Sequence, residues 1–197
     1  MALLILTSQV KEFSRWLYQK TNESDVPASQ ESTGLKILQL SLDIADAIIV
    51  LLENRLPGPA LSLARPLFEG YIRGYWLLNV ASSAEIKRFN SGECPSISNL
   101  LKAIGTDAES GAAWIHATKT ANLASFHDLT HGGSEHAKRR ATSAALEPNY
   151  PDHELERLVK FSAEVHMRVA AEVLALLGNE AALEELSVRA AAFRMQL

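Results

Sequence analysis

The segment from Pro59 to Leu78 constrains the fold most, because its charges do not form the broad polar face of a surface helix. On a helix, residues four apart share a row. Two of the four rows are apolar or aromatic and one consists of small residues. The remaining row carries Arg65, Glu69 and Arg73. This pattern predicts a central helix contacted on most sides, with an Arg-Glu-Arg row in the interior or in a cleft.

The row of small residues predicts both a bend and a close contact. Pro66 cannot donate a hydrogen bond to the Ser62 carbonyl, so we expect the helix axis to bend there. Gly70 and Gly74 each cost about 1 kcal/mol relative to alanine in a helix interior. Their position on the Pro66 row therefore predicts tight packing, either by a neighbouring backbone or by a ligand.

Helical spacing continues through most of the chain, and no segment alternates convincingly with period two. We therefore predict an all-α fold in a single domain over residues 1–197. The core bundle is expected at about residues 35–177, with an N-terminal helix (3–20) and a C-terminal helix (179–196) packed on it. The short link Pro57-Gly58-Pro59 predicts that the central helix is antiparallel to the helix before it.

Composition excludes several classes of protein. The net charge of −4 gives no overall attraction to nucleic acid or to anionic membranes, although nucleic acid remains a possible partner. The single cysteine, Cys94, rules out an intrachain disulfide and fits a reducing compartment. The longest apolar run, Ala47 to Leu52, is far shorter than the ~18 residues of a membrane span. With no signal-peptide pattern at the N-terminus, these features predict a cytoplasmic protein without a membrane segment.

The strongest candidate site is the row of Arg65, Glu69 and Arg73. It is either a structural ion-pair ladder or a ligand-binding or catalytic site. Two arginines and one carboxylate leave a surplus positive charge, which requires another acid or an anionic ligand. The candidate acids are Asp43, Asp46 and Asp128.

Two histidines, His127 and His131, stand one helical turn apart, a spacing that can hold a metal. The intervening Asp128 stands where the zinc-protease pattern has Glu, and no sheet is predicted to support such a site. We therefore expect neither a metal nor another cofactor, and a role in hydrogen bonding or proton transfer for His131. The run from Lys138 to Arg140 is predicted to be a solvated face that could contact phosphate.

Three stretches together resemble a family of bacterial helical proteins of unassigned function that is similar to the HEPN superfamily (higher eukaryotes and prokaryotes nucleotide-binding domain). The resemblance covers residues 35–177. The stretches are Arg65-Pro66-Leu67-Phe68-Glu69 with Tyr71 and Trp76, Thr130-His131-Gly132-Gly133 with Arg139-Arg140, and Glu147-Pro148-Asn149-Tyr150.

This resemblance implies a HEPN-like up-and-down bundle, often dimeric, with polar residues gathered between long helices. Some HEPN proteins are metal-independent ribonucleases of toxin–antitoxin or phage-defence systems. Their signature is an Arg followed by His with four to six residues between them, and no Arg of this sequence has a His at that separation. The resemblance therefore supports the fold more than the nuclease activity.

Our leading hypothesis is a polar ligand-binding or interaction pocket with the arginine-containing row as its floor and His131, Asn149 and Tyr150 as its rim. The full set of predicted binding residues is Arg65, Glu69, Arg73, His127, His131, Arg140, Asn149 and Tyr150. The alternative is a HEPN-like ribonuclease in which Arg65 or Arg73 stabilises the phosphorane and His131 acts as acid or base. A third hypothesis is a homodimeric structural or regulatory partner in a two-gene defence module.

Overall fold

The computed structural model describes residues 2–22, 32–105 and 111–195. These residues form helices and no strand, which confirms the all-α prediction. The helices are α1 (Ala2–Asn22), α2 (Ser32–Glu53), α3 (Pro57–Ser62), α4 (Ala64–Asn79), α5 (Ser83–Asn90), α6 (Ile97–Ile104), α7 (Gly111–Thr130), α8 (Ser134–Lys138), α9 (Asp152–Leu176) and α10 (Glu180–Met195).

Helix α4 lies among α2, α6, α7 and α9, as expected for a central helix. Helix α2 runs antiparallel to it, because Leu38 lies against Gly74 and Ser41 lies against Gly70. A β-carbon on Gly74 would come within 2.5 Å of the Leu38 side chain, and one on Gly70 within 2.8 Å of the Ser41 hydroxyl. The close packing predicted for this row is therefore made by a neighbouring helix.

The predicted single helix from Pro59 to Leu78 is divided into α3 and α4 at Leu63. The cause is Pro66, which has no N–H to donate to the Ser62 carbonyl. That carbonyl instead lies 3.3 Å from Thr130 Oγ1, whose single hydroxyl hydrogen is shared with the Phe126 carbonyl at 2.8 Å. The helix is thus interrupted one turn before Pro66, and the end of α3 lies beside the last turn of α7.

Aromatic side chains connect α4 with α7 and α9. Phe68 is fully buried, and its ring centroid lies 5.9 Å from that of Trp114, 6.4 Å from Phe126 and 6.2 Å from Phe161. Helix α1 packs on α2 and α9, and α10 packs on α9. This aromatic cluster fixes the three helices that carry the polar groups discussed below.

Local signals at the helix ends act as their sequence indicates. Ser82 and Glu85 form a capping box at the start of α5, and Asn179 Oδ1 accepts from the Ala182 N–H at 3.1 Å. Gly132 and Gly178 follow α7 and α9 with φ of 67° and 63°, in the left-handed region that glycine favours. Within the described ranges, no helix combines the length and apolarity needed to cross a bilayer.

Candidate functional site

The arginine row, which we define as Arg65, Glu69 and Arg73, lies along one side of α4. Glu69 Oε1 accepts from Arg65 Nε at 2.6 Å, and Glu69 Oε2 accepts from Arg73 Nη2 at 3.1 Å. The side chains of Arg65, Glu69 and Arg73 are 25%, 16% and 28% exposed, respectively. One carboxylate is thus shared by two guanidinium groups that are mostly covered by protein.

The acids proposed to balance the arginine row are engaged elsewhere. Asp43 Oδ1 accepts from the Tyr18 hydroxyl at 3.3 Å, and Asp128 Oδ2 accepts from the Glu135 N–H at 2.6 Å. Asp46 accepts from Ser14 Oγ at 3.0 Å and faces a histidine with its other oxygen. The row therefore keeps its surplus positive charge with respect to these three carboxylates.

Arg65 also carries the clearest unsatisfied group in the row. Its Nη1 atom is buried and has no hydrogen-bond partner. Leaving a charged N–H donor buried without an acceptor costs free energy, since the donor has lost water and gained nothing in exchange. An anionic oxygen placed at this nitrogen would satisfy it and would neutralise the surplus charge.

A second polar cluster, centred on His136 of α8, was not predicted from the sequence. His136 Nε2 lies 2.7 Å from the Leu129 carbonyl and 3.1 Å from Ser62 Oγ, while Nδ1 lies 3.1 Å from the Tyr150 hydroxyl. A carbonyl only accepts, so Nε2 carries a hydrogen, and Nδ1 shares a hydrogen bond with the Tyr150 hydroxyl. With Nε2 already protonated, His136 cannot take a proton from Ser62, and the cluster is a structural link between helices.

The structure brings two of the predicted binding residues, Tyr150 of the rim and Arg140, to this cluster. Tyr150 is partly buried against His136, and the Arg140 guanidinium lies 3.7 Å from the β-carbon position of Gly58, which the Tyr150 hydroxyl also approaches. Arg140 is exposed, and its side chain makes no hydrogen bond or ion pair with the described part of the chain. Asn149 is exposed, and its side chain donates to the Ala141 carbonyl at 3.3 Å.

The two predicted histidines lie at the end of α7, away from direct contact with the arginine row. His127 and His131 are both exposed, with ring centroids 4.6 Å apart. Among the described contacts, none joins His131 to Arg65 or Glu69. The predicted floor, the arginine row, and the predicted rim therefore do not contact each other directly.

The prediction of a solvated face was wrong for Arg139. Its Nε and Nη2 each donate to Glu154 at 2.7 Å, and Nη1 donates to both Glu135 Oε2 and the Glu135 carbonyl at 2.7 Å. Hydrogen bonds from Lys138 and Arg139 lower the pKa of Glu135 to about 2. Hydrogen bonds to Glu154 and Glu135 raise the pKa of Arg139. We call Arg139 with Glu135 and Glu154 the Arg139 fork. Its hydrogen bonding is complete, because every nitrogen of the guanidinium has an acceptor.

A buried histidine of α9 and a partly exposed aspartate of α2 join these two helices. His166 is fully buried, with Nδ1 3.0 Å from the Ser162 carbonyl and Nε2 3.0 Å from Asp46 Oδ1. A carbonyl and an ionised carboxylate only accept, so facing both requires a hydrogen on each ring nitrogen. Burial raises the pKa of Asp46, but the hydrogen bond and charge of His166 outweigh burial and leave that pKa lowered.

Residues 38–197 match the sequence model of a family described as being of unknown function, DUF6988. The matched range includes the arginine row, the His136 cluster and the paired histidines of α7, and it excludes α1. No curated protein and no solved structure matches the chain.

Proposed function

The chain belongs to the family of unknown function DUF6988, and we propose that it binds an anionic ligand at the arginine row, in a polar site between long helices. The observation that carries this proposal is the buried Nη1 of Arg65, a charged donor without an acceptor. The ligand class is a carboxylate or phosphate group, since both present oxygens that a guanidinium binds well.

A purely structural ladder explains the arginine row less well. Around Arg139 the donors and acceptors balance, whereas Arg168, with one cation for one Glu164 carboxylate, also leaves its Nε buried without a partner. In the arginine row, one carboxylate serves two cations, and a buried nitrogen is left over. The surplus favours a bound anion over a ladder that is complete in itself.

The proposal is tested by titrating the protein with inorganic phosphate and with acetate, followed by isothermal calorimetry and by thermal unfolding at constant ionic strength. We expect one of the two anions to bind at one site and to raise the unfolding temperature, because a ligand of the native state stabilises it by mass action. Arg65→Gln is expected to abolish both effects.

A matched control is Arg189→Gln, which also removes a guanidinium from an i,i+4 pair with glutamate. This variant should bind the anion as the wild type does. Equal losses in Arg65→Gln and Arg189→Gln would mean that the anion screens charge generally. Absence of binding by the wild-type protein to either probe would contradict the proposal.

The HEPN-like ribonuclease is a second proposal, supported by the exposure of His131 at a helix end where a substrate can reach it. It is less favoured, because no direct contact joins His131 to the arginine row and the Arg-to-His spacing is lacking. RNA cleavage by the purified protein that disappears in His131→Ala would place the nuclease first.

A homodimer in the cytoplasm fits either proposal, with Leu40 and Val50 of α2 about half exposed and able to contact a second copy.

A further inference from the structure

Contrary to the expectation from the sequence that no metal binds here, we infer that His127 and His131 form a binding site for a divalent transition-metal ion of the Zn²⁺, Ni²⁺ or Cu²⁺ class. The two imidazole rings lie on one face of α7 with centroids 4.6 Å apart and planes inclined at 53°. The His131 N–H donates to the His127 carbonyl at 3.2 Å, so the backbone keeps its helical turn and the rings stay adjacent.

Neither ring is used by the rest of the described structure. Both side chains are exposed, and neither imidazole makes a hydrogen bond or an ion pair within the described residues. This separates them from His136 and His166, whose ring nitrogens all have oxygen neighbours. The nitrogens of His127 and His131 are therefore free to coordinate a cation without breaking any existing contact.

The electrostatic setting favours a cation. The pair occupies the last turn of α7 and the residue after it, where the helix dipole presents its negative end. Asp128 adds a carboxylate between the two histidines in sequence, held by the Glu135 N–H at 2.6 Å. The nearby Lys138 is paired with Glu135 at 2.7 Å, which offsets its charge.

The chemistry of the donors selects the class of metal. Imidazole nitrogen suits Zn²⁺, Cu²⁺ and Ni²⁺, whereas Mg²⁺ and Ca²⁺ prefer oxygen ligands. Within the described part of the chain there is no group of three or more residues that could hold a metal, so water would complete the coordination shell. This open two-histidine arrangement differs from a closed structural zinc site, which has four protein ligands.

The inference is tested with the full chain free of any polyhistidine tag, titrated separately with NiCl₂, ZnCl₂ and MgCl₂ in a calorimeter. We expect one Ni²⁺ or Zn²⁺ per chain and no response to Mg²⁺. His127→Ala and His131→Ala should each weaken binding at least tenfold, because one imidazole is lost from a two-imidazole site. Both substitutions are on exposed side chains, and circular dichroism verifies that the variants remain folded.

The matched control is His153→Ala, which removes a single exposed histidine from the first turn of α9. It should bind metal with wild-type affinity. The inference is overturned if His131→Ala binds Ni²⁺ as the wild type does, if His153→Ala loses binding to the same extent, or if the wild-type protein binds neither metal. These outcomes do not depend on anion binding at Arg65, so the two proposals are tested separately.

Discussion

Arg139 and Arg65 are both mostly covered by protein, and both pair with glutamate, yet they differ in how many guanidinium nitrogens have a hydrogen-bond acceptor. The Arg139 side chain is 18% exposed, and all three of its nitrogens donate to oxygen. The Arg65 side chain is 25% exposed, with Nε bonded to Glu69 and Nη1 buried without a partner. Burial and charge are similar at the two sites, so the balance of donors and acceptors is what separates a structural arginine from a candidate ligand-binding one.

The contact between Asp46 of α2 and His166 of α9 resembles the Arg139 site, because its polar atoms all have partners. Both nitrogens of His166 face oxygens, and both oxygens of Asp46 have neighbours, Ser14 and His166. A fully buried charged group can thus be complete in itself. An interior charge points to a ligand only where its hydrogen-bonding capacity exceeds what its neighbours offer.

The largest expected effect comes from removing the shared acceptor of the arginine row. Glu69→Ala leaves two mostly covered guanidinium groups without a carboxylate and is expected to destabilise the fold by roughly 3 kcal/mol. Denaturant unfolding measures this difference. Glu93→Ala, which breaks an exposed pair with Arg88, serves as the control and should change stability by less than about 1 kcal/mol. A loss below about 1 kcal/mol for Glu69→Ala would show that the row behaves as a surface ladder.

A smaller effect is the difference in unfolding free energy between variants of the two arginines. Arg139→Gln removes the partner of Glu154 and Glu135 and is expected to cost about 2 kcal/mol. Arg65→Gln removes one bond together with an unsatisfied buried donor, so the two contributions oppose each other and the net loss should be below about 1 kcal/mol. The comparison is made by denaturant unfolding without phosphate. Equal losses would mean that Arg65 is as much a structural residue as Arg139.

The smallest effect is a change in the acid dependence of stability. Hydrogen bonds from Lys138 and then Arg139 lower the pKa of Glu135 from 4.5 to about 2, and the hydrogen bonds of Arg139 lower the pKa of Glu154. A carboxyl with a lowered folded-state pKa stabilises the fold above its unfolded pKa, and this contribution is lost as pH falls through the folded value. The free energy of unfolding should therefore decrease between pH 4.5 and about 2.

Arg139→Gln should make that decrease shallower, because the guanidinium is the main cause of the lowered pKa of Glu154 and the second cause, after Lys138, of the lowered pKa of Glu135. Lys102→Gln, an exposed lysine that makes no contact with the fork, removes the same charge and should keep the wild-type slope. Unfolding followed by circular dichroism at a series of pH values gives both slopes. An unchanged slope in Arg139→Gln would show that the fork contributes nothing to acid stability.

Much of the fold could be predicted, because its signals are local. The rows of the Pro59–Leu78 segment predicted a central helix, and Pro66 predicted the bend at Leu63. The small residues Gly70 and Gly74 predicted close packing, although only the structure shows that α2 supplies it. Periodicity and helix-breaking residues act within a few positions, so a single sequence displays them.

The polar contacts could not be predicted to the same degree, since they depend on residues far apart in the chain. Ser62 and His136 are separated by 74 positions, and Asp46 and His166 by 120. Nothing in the Lys138–Arg140 run indicates that Arg139 turns toward Glu154 while Arg140 remains in solvent. The sequence shows which charged side chains stand among apolar residues. The packing of α7, α8 and α9 determines which of these side chains have hydrogen-bond partners.

The division between α3 and α4 also has a consequence for the order of folding. Pro66 leaves the Ser62 carbonyl without its usual N–H donor, and the hydroxyl nearest to that carbonyl belongs to Thr130, 68 positions later. The Ser62–Thr130 contact therefore cannot form while the N-terminal half of the chain is alone. Such a long-range contact slows folding, because its loop must close before the contact forms. Helix α3 also packs on α2, so we expect only its contact with α7 to form late.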